Sequence, residues 1–179
     1  KKWQGFVRDG ISYVLNYIKP IQQYLLEMRF KPMPKYHDGI LINHNHPQSP
    51  VGKMFIQPNV QLESGEQVLL DDVIGNNFAI LAWGVDPKWG LDAHTMQQWQ
   101  NLGVKFIQVL PAIQLRNEKR QTFEGVMTVG EIGTDIRTWF GQTDQSIVVL
   151  RPDRFVAALA IPQTLNKISK QLFAKIHVK

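Results

Sequence analysis

His37, His44 and His46 lie close together, with Asp38 beside the first of them. A His-x-His pair in an extended strand turns both imidazoles to one face, where they can ligate zinc or nickel. No further ligand completes a structural or catalytic spacing, and Asn43 and Asn45 give the stretch the character of an exposed polar loop. An adventitious ion is the most such a loop would hold. Arg151-Pro152-Asp153-Arg154 places two guanidinium groups around a turn, which suggests an anion clamp. The same residues explain themselves as a turn. Pro presets φ at the second position, and Asp bonds its own backbone at the next. The turn is the better reading.

Asp71-Asp72 offers oxygen ligands to a divalent cation, yet two carboxylates are too few for a calcium site. A helix N-terminus, which favours negative charge, accounts for them better. Trp83, Trp89, Trp99 and Trp139 read as core and interface anchors rather than as a stacking platform. No Ser-His-Asp set or nucleophile elbow is recognisable. Cysteine is absent, which removes disulfides, thiolate metal sites and dithiol redox work from this chain. That absence fits a cytoplasmic setting.

The 179 residues are 44% hydrophobic and 20% charged, values of a globular chain with one core of ordinary size. No apolar run approaches the ~18 residues of a membrane span. The net charge of +5 sits in the first 53 residues, which hold eight Lys/Arg against Asp9, Glu27 and Asp38. The bases are scattered rather than arranged as a stripe with interleaved aromatics, so nucleic acid is not an expected partner.

These groups must be positioned by the elements around them. Ile11, Val14, Leu15, Ile18, Ile21, Leu25 and Met28 mark a helical face, kinked or restarted at Pro20. Residues 31–59 hold five prolines and read as an extended connector. The expected organisation is a helical segment and connector over residues 1–49, then a second domain over residues 50–179. Short strands are expected at Val60–Leu62 and Gln67–Leu70, turning at Gly65, then an Asp-capped helical turn closed by Gly75. Phe78–Trp83 and Val104–Leu110 are apolar strands. Between them Asp92 caps a helix that stops at Gly103. Residues 111–133 are ambiguous, with Phe123–Val129 a candidate strand and Gln114–Gln121 a loop. Thr134 or Asp135 caps a helix ending near Phe140. Ile147–Leu150 and Phe155–Ala160 form a hairpin around Arg151–Arg154. The last helix opens at Pro162 and buries Leu165, Ile168, Leu172, Phe173 and Ile176. Helices between strands imply parallel crossovers, and the hairpin adds an antiparallel edge. The expected fold is α/β: a thioredoxin-like mixed sheet with helices on both faces.

YLLEMRFKPMPKYHDG (Tyr24–Gly39), VGKMFIQPNV (Val51–Val60), LLDDVIGNNFAIL (Leu69–Leu81) and VVLRPDRFVAAL (Val148–Leu159) carry a further signal in their order and spacing. They resemble the C-terminal region of the FAD-dependent aromatic hydroxylases, the group that includes the 3-(3-hydroxyphenyl)propionate and phenol hydroxylases. The first segment resembles the end of the catalytic part, and the other three its thioredoxin-like tail. The resemblance implies a parent enzyme that uses FAD and NADH or NADPH to hydroxylate a phenolic substrate such as 3-(3-hydroxyphenyl)propionate. The family's flavin motifs are not matched: Gly130–Gly133 (GEIG) is not a GxGxxG that opens a helix. No catalytic, cofactor-binding or metal-binding residue therefore carries over to this chain. A thioredoxin holds its cysteine pair just after the strand equivalent to FAILAW, where this chain has Gly84-Val85-Asp86-Pro87-Lys88. Lys1 is not a natural start, so a detached C-terminal piece of a larger enzyme is expected. Its expected role is structural, with the rest of the flavoenzyme as partner and a homo-oligomer as the assembled state. The alternative is a stand-alone thioredoxin-like binding module without redox activity. Residual peroxide or disulfide chemistry is a third reading, against which the missing cysteines count.

Overall fold

Two apolar runs form the centre of a mixed seven-stranded sheet. The computed structural model describes residues 34–44, 46, 48–117 and 120–176, and all but Pro34 fall in one unit, Lys35–Lys179. In chain order the elements are β1 (Asn59–Gln61), β2 (Gln67–Leu69), α1 (Leu70–Ile74), β3 (Ala79–Trp83), α2 (Ala93–Asn101) and β4 (Lys105–Pro111). They continue with α3 (Ala112–Leu115), β5 (Met127–Glu131), α4 (Asp135–Gly141), β6 (Ile147–Leu150), β7 (Val156–Ala160) and α5 (Pro162–Ile176). The helical face expected over Ile11–Met28 lies outside the described residues.

The strand order is β2-β1-β5-β4-β3-β6-β7. Strands β3, β4 and β5 run parallel, and antiparallel pairs flank them on both sides. Side chains alternate across the sheet. Ile80, Ala82, Ile147 and Val149 share one face with Trp99, Leu165, Leu172 and Phe173 of α2 and α5. Ala79, Leu81, Val148 and Leu150 share the other with Leu70, Ile74, Ile136 and Phe140 of α1 and α4. Burial on both faces is why these strands are continuous apolar runs. The expected thioredoxin-like layout is the one observed.

Trp99 anchors one layer. Its ring is fully buried 4.7 Å from that of Phe173, and its indole N–H donates to Ser169 Oγ at 2.9 Å. Burying a ring of that size contributes on the order of 4–6 kcal/mol of gross transfer free energy. Asp92 caps α2 as expected, accepting from the Thr95 amide at 2.7 Å. Its second oxygen accepts from Lys170 Nζ at 2.8 Å and Asn166 Nδ2 at 3.0 Å, which ties the start of α2 to α5. Gly90 makes that approach possible. Its φ is +92°, and a Cβ there would lie 1.9 Å from the Pro162 carbonyl oxygen.

The hairpin turn is built as its sequence suggests. The Arg154 amide donates to the Arg151 carbonyl at 2.9 Å, and Arg154 takes a φ of +68°. A left-handed residue after a turn matches the twist of the two strands and leaves a bulge, here between Val149 and Leu150. Both guanidinium groups are engaged. Arg154 Nε donates to Asp71 Oδ1 at 3.0 Å, and Nη2 donates to the Asp71 carbonyl at 3.0 Å. Arg151 pairs with Asp153 and lies 5.4 Å from the centre of the Tyr36 ring. Beyond the hairpin, the extended chain covers the outer edge of β7. The Ile42 amide donates to Ala157 at 2.8 Å, the Gly52 amide to Val156 at 2.9 Å, and the Phe55 amide to Arg154 at 2.9 Å. A covered edge cannot template pairing with another chain.

Three local expectations are corrected. Asp71 does not cap α1: Leu69 precedes that helix without a side-chain bond, and the Asp71 carboxylate serves Arg154 and Gln57 instead. Neither Thr134 nor Asp135 caps α4 through its side chain. The buried Glu131 does so from the end of β5, accepting from the Arg137 amide at 3.0 Å. The strand sought at Phe123–Val129 starts later, at Met127. It extends through Gly130, where a Cβ would lie 2.8 Å from the Ala112 Cα. Only glycine lets α3 lie against β5 there.

Two outcomes follow from these pairs. A double-mutant cycle of Arg154→Ala and Asp71→Ala in urea is expected to give a coupling of about 1–2 kcal/mol, since both side chains are less than a quarter exposed; no coupling would show that the hairpin does not depend on this pair. The Lys170 ammonium, then the Thr95 amide, hold the Asp92 carboxyl well below the usual carboxylate range. A lowered pKa contributes stability above the ordinary aspartate value near ~4 and loses it as pH falls below that. Asp92→Asn is therefore expected to melt below the wild type at pH 7, with the gap narrowing as pH falls toward ~2. A gap that stays constant with pH would contradict the assignment.

Candidate functional site

In open sheets with parallel strands, ligands sit beyond the carboxyl ends of those strands. A cavity of about 570 Å³ lies there, beyond β3 and β4. Gly84, Val85 and Asp86, the residues that follow β3, form one side. Gln108 and Leu110 of β4 form the floor, and Trp89, Phe123 and Arg120 stand around it with the amides of Gln114 and Gln121. The local sequence explains the shape. Asp86 Oδ1 accepts from the Lys88 amide at 2.8 Å and closes the loop after β3 into a turn that carries Trp89 out to the rim. Trp89 is 61% exposed.

Gln108 is 3% exposed, in the middle of an otherwise apolar strand. Its Oε1 accepts a long bond from Thr128 Oγ1 at 3.4 Å, across the β4–β5 pair. Arg120 Nη1 donates to the Leu115 carbonyl at 2.7 Å, and Nη2 pairs with Glu63. Arg120 Nε is buried without a partner among the described residues. One Arg and one Asp line the cavity, so the described lining is formally neutral. Among the described residues its lining holds no thiol, imidazole, hydroxyl or amine.

Gly84 to Lys88, the segment after β3, offer no thiolate. A flavin pyrophosphate does not fit the Gly-containing junction between β5 and α4 either. At Gly130–Gly133 the Glu131 carboxylate takes the amide at the start of α4 that an anion would need, and repels a phosphate.

The other candidates lie elsewhere. His37, Asp38 and His46 are exposed, and His46 Nδ1 accepts from the Gln48 amide at 3.3 Å. His44 is half-buried, with Nδ1 unpartnered among the described residues. No metal-holding group of three His, Asp or Glu side chains exists among the described residues. Arg151 and Arg154 are spent on Asp153 and Asp71, so the turn is no anion clamp. Trp99 and Trp139 are packing anchors, the latter edge-on to Phe55 at 4.6 Å, and Trp83 lies 6.4 Å from the Phe140 ring. Of the four, only Trp89 reaches the cavity. Sequence reasoning missed Gln108, Arg120 and Phe123. A lone Gln inside VKFIQVL was the one available signal. Among the described residues no helix is long and apolar enough to cross a membrane.

Comparison with known proteins places this geometry. A thioredoxin-like protein from Bacteroides caccae superposes with a TM-score of 0.53 at 15% identity, over 71% of this chain and 50% of that one. The flavin-dependent monooxygenase PieE, solved with FAD and substrate, superposes at 0.51 and 14% identity, over 80% of this chain and 25% of that one. Both likenesses concern the fold. In sequence the chain is 58% identical over 167 residues to the 3-(3-hydroxy-phenyl)propionate/3-hydroxycinnamic acid hydroxylase of Klebsiella pneumoniae (strain 342). That match takes in 93% of this chain and 30% of the relative, so the chain spans under a third of the relative's length. The family model of the HcaD C-terminal domain matches residues 52–175. The chain belongs to the HcaD C-terminal domain family.

Proposed function

We propose that this chain is the C-terminal domain of an FAD- and NAD(P)H-dependent aromatic-ring monooxygenase acting on a phenolic substrate such as 3-(3-hydroxyphenyl)propionate, and that its role there is structural. The observation that carries the reading is the 58% identity to a hydroxylase across 93% of the chain. In this reading residues 1–49 end the catalytic part and lead into the tail, and residues 50–179 are the tail itself. The parent works in the cytoplasm, its flavin supplies the oxygen chemistry, and no step of that chemistry falls to a residue described here. The domain packs on the flavin-bearing body and supports association of subunits. Apolar side chains left uncovered favour that role: Ile113 is 82% exposed, and Leu69, Met127 and Ile132 are each more than 40% exposed. The cavity beyond β3 favours a second reading, a binding module without redox activity.

The gene product that contains this chain tests the proposal. It is expected to purify yellow and to oxidise NADH or NADPH in the presence of 3-(3-hydroxyphenyl)propionate. Deleting residues 52–175 is expected to lower its oligomeric state by light scattering while the flavin stays bound. The 179-residue chain alone is expected to be colourless and inactive in insulin-reduction and peroxidase assays. Stoichiometric FAD on the chain alone, or a parent whose assembly ignores the deletion, would overturn the structural role.

A further inference from the structure

Four of the exposed large apolar side chains lie at one end of the sheet, where β3, β4 and β5 finish. Trp89 stands in the loop after β3, Ile113 is in α3 directly after β4, and Ile132 follows the last residue of β5. Leu69 ends β2. Strands β2 and β5 both run antiparallel to β1, so they point the same way, and Leu69 finishes at the same end as Ile132.

The pairing also puts these groups on one face. Asn59 pairs with Leu69, and the register that joins Val60 to Glu131, continued by one residue, brings Ile132 opposite Asn59. Directly opposed residues share a face, so Leu69 and Ile132 flank Asn59 on the same side. Gly130, two residues before Ile132, is on that side too, and α3 lies against it. Gly130 pairs with Leu110 on the face that α2 and α5 cover over β3, β6 and β7. Over β1 and β2 that face stays open. Asn59, Gln67 and Leu69 are exposed there, while Val60 on the other face is fully buried. From β2 to β3 the apolar band crosses four strand spacings, about 19 Å.

The size of the band selects its occupant. Ile113 and Trp89 are 82% and 61% exposed, and Leu69 and Ile132 are 44% and 43% exposed. Together these four side chains expose on the order of 400–500 Å², the size of a monomer's functional patches. Free subunits bury about 800 Å² on each side in a stable association. Domains of one polypeptide bury about 300–750 Å² each. Their tether holds them at millimolar effective concentration, so the smaller contact suffices. A partner on the same polypeptide therefore fits the band better than a second copy does. The hydroxylase relative extends over more than two-thirds of its length beyond the match to this chain, which leaves room for such a partner.

We propose that Leu69, Ile132, Ile113 and Trp89 form the surface by which this domain docks on the flavin-bearing body of its own polypeptide. The inference rests on the reading of the chain as a flavoenzyme's C-terminal domain, and it names the face that makes the contact.

Thiol labelling tests it, because the chain has no cysteine of its own. Ile113→Cys and Ile132→Cys are introduced singly into the 179-residue chain and into the gene product that contains it. Ser64→Cys, exposed in the β1–β2 turn at the opposite end of the sheet, is the control. Maleimide labelling of the introduced thiol is read by peptide mass spectrometry. At both isoleucine positions it is expected to be about tenfold slower in the gene product than in the chain alone. For Ser64→Cys the two rates are expected to agree. Adding Ile113→Asp is expected to restore fast labelling of Ile132→Cys in the gene product, since a charge buried without a partner opens the contact. Ile113 is exposed in the domain itself, so that change leaves its fold intact. Equal rates in the two proteins would overturn the proposal. So would protection that disappears on dilution of the gene product, which would assign the band to a second copy. Flavin absorbance of the same sample separates the two readings. A colourless gene product with slow thiols refutes the flavoenzyme reading and keeps the docked face; a yellow one with fast thiols refutes the docked face alone.

Discussion

The fold depends on one constraint: β3 is hydrogen-bonded on both edges and buried on both faces. It pairs parallel with β4 and antiparallel with β6, from Ala79 to Ala82 on either side. Four of its five residues are fully buried. No polar side chain can enter such a strand without losing its water, and no backbone group can be left unpaired. Both layers of helices exist to cover its two faces, with Trp99 and Phe173 on one side and Ile136 and Phe140 on the other. The residues after Trp83 turn outward, and the cavity opens.

The same constraint explains what was legible in the sequence. FAILAW, VKFIQVL and the runs flanking Arg151–Arg154 are readable because two-sided burial makes most of their positions apolar. Asp92 is readable because capping is local: its carboxylate and the Thr95 amide are three residues apart. β5 was hard to place because MTVGE is only partly apolar. What makes it a strand is its neighbour, since Thr128 faces Gln108 and Gly130 admits α3. Glu131 as a helix cap was illegible for the same reason, because the bond depends on how the chain turns between β5 and α4. The site itself was the least readable part. Its aromatic and amide groups are drawn from the loop after β3, the middle of β4 and the stretch beyond α3, with no shared spacing.

Charged groups in this domain serve architecture. Arg154 and Asp71 pin the hairpin to α1, although they are 83 residues apart in the chain. Asp92 and Lys170 join two helices of the opposite layer. Arg151 lies against Tyr36 and so helps hold the extended chain beside the hairpin. Fold likeness alone would have suggested redox chemistry, but function resides in sites, and the residues after β3 cannot perform thiol exchange.

Native-state hydrogen exchange of the described domain tests the central claim most directly, because it reads the stability of each strand separately. If the doubly buried sheet is the single scaffold on which everything rests, the amides of Leu81, Ile107 and Val148 exchange together, at the free energy of global unfolding. The loop after β3 and the residues around α3 then open at lower free energies. Protection of β3 that falls away independently of β4 and β6, in a separate partial opening, would contradict the account.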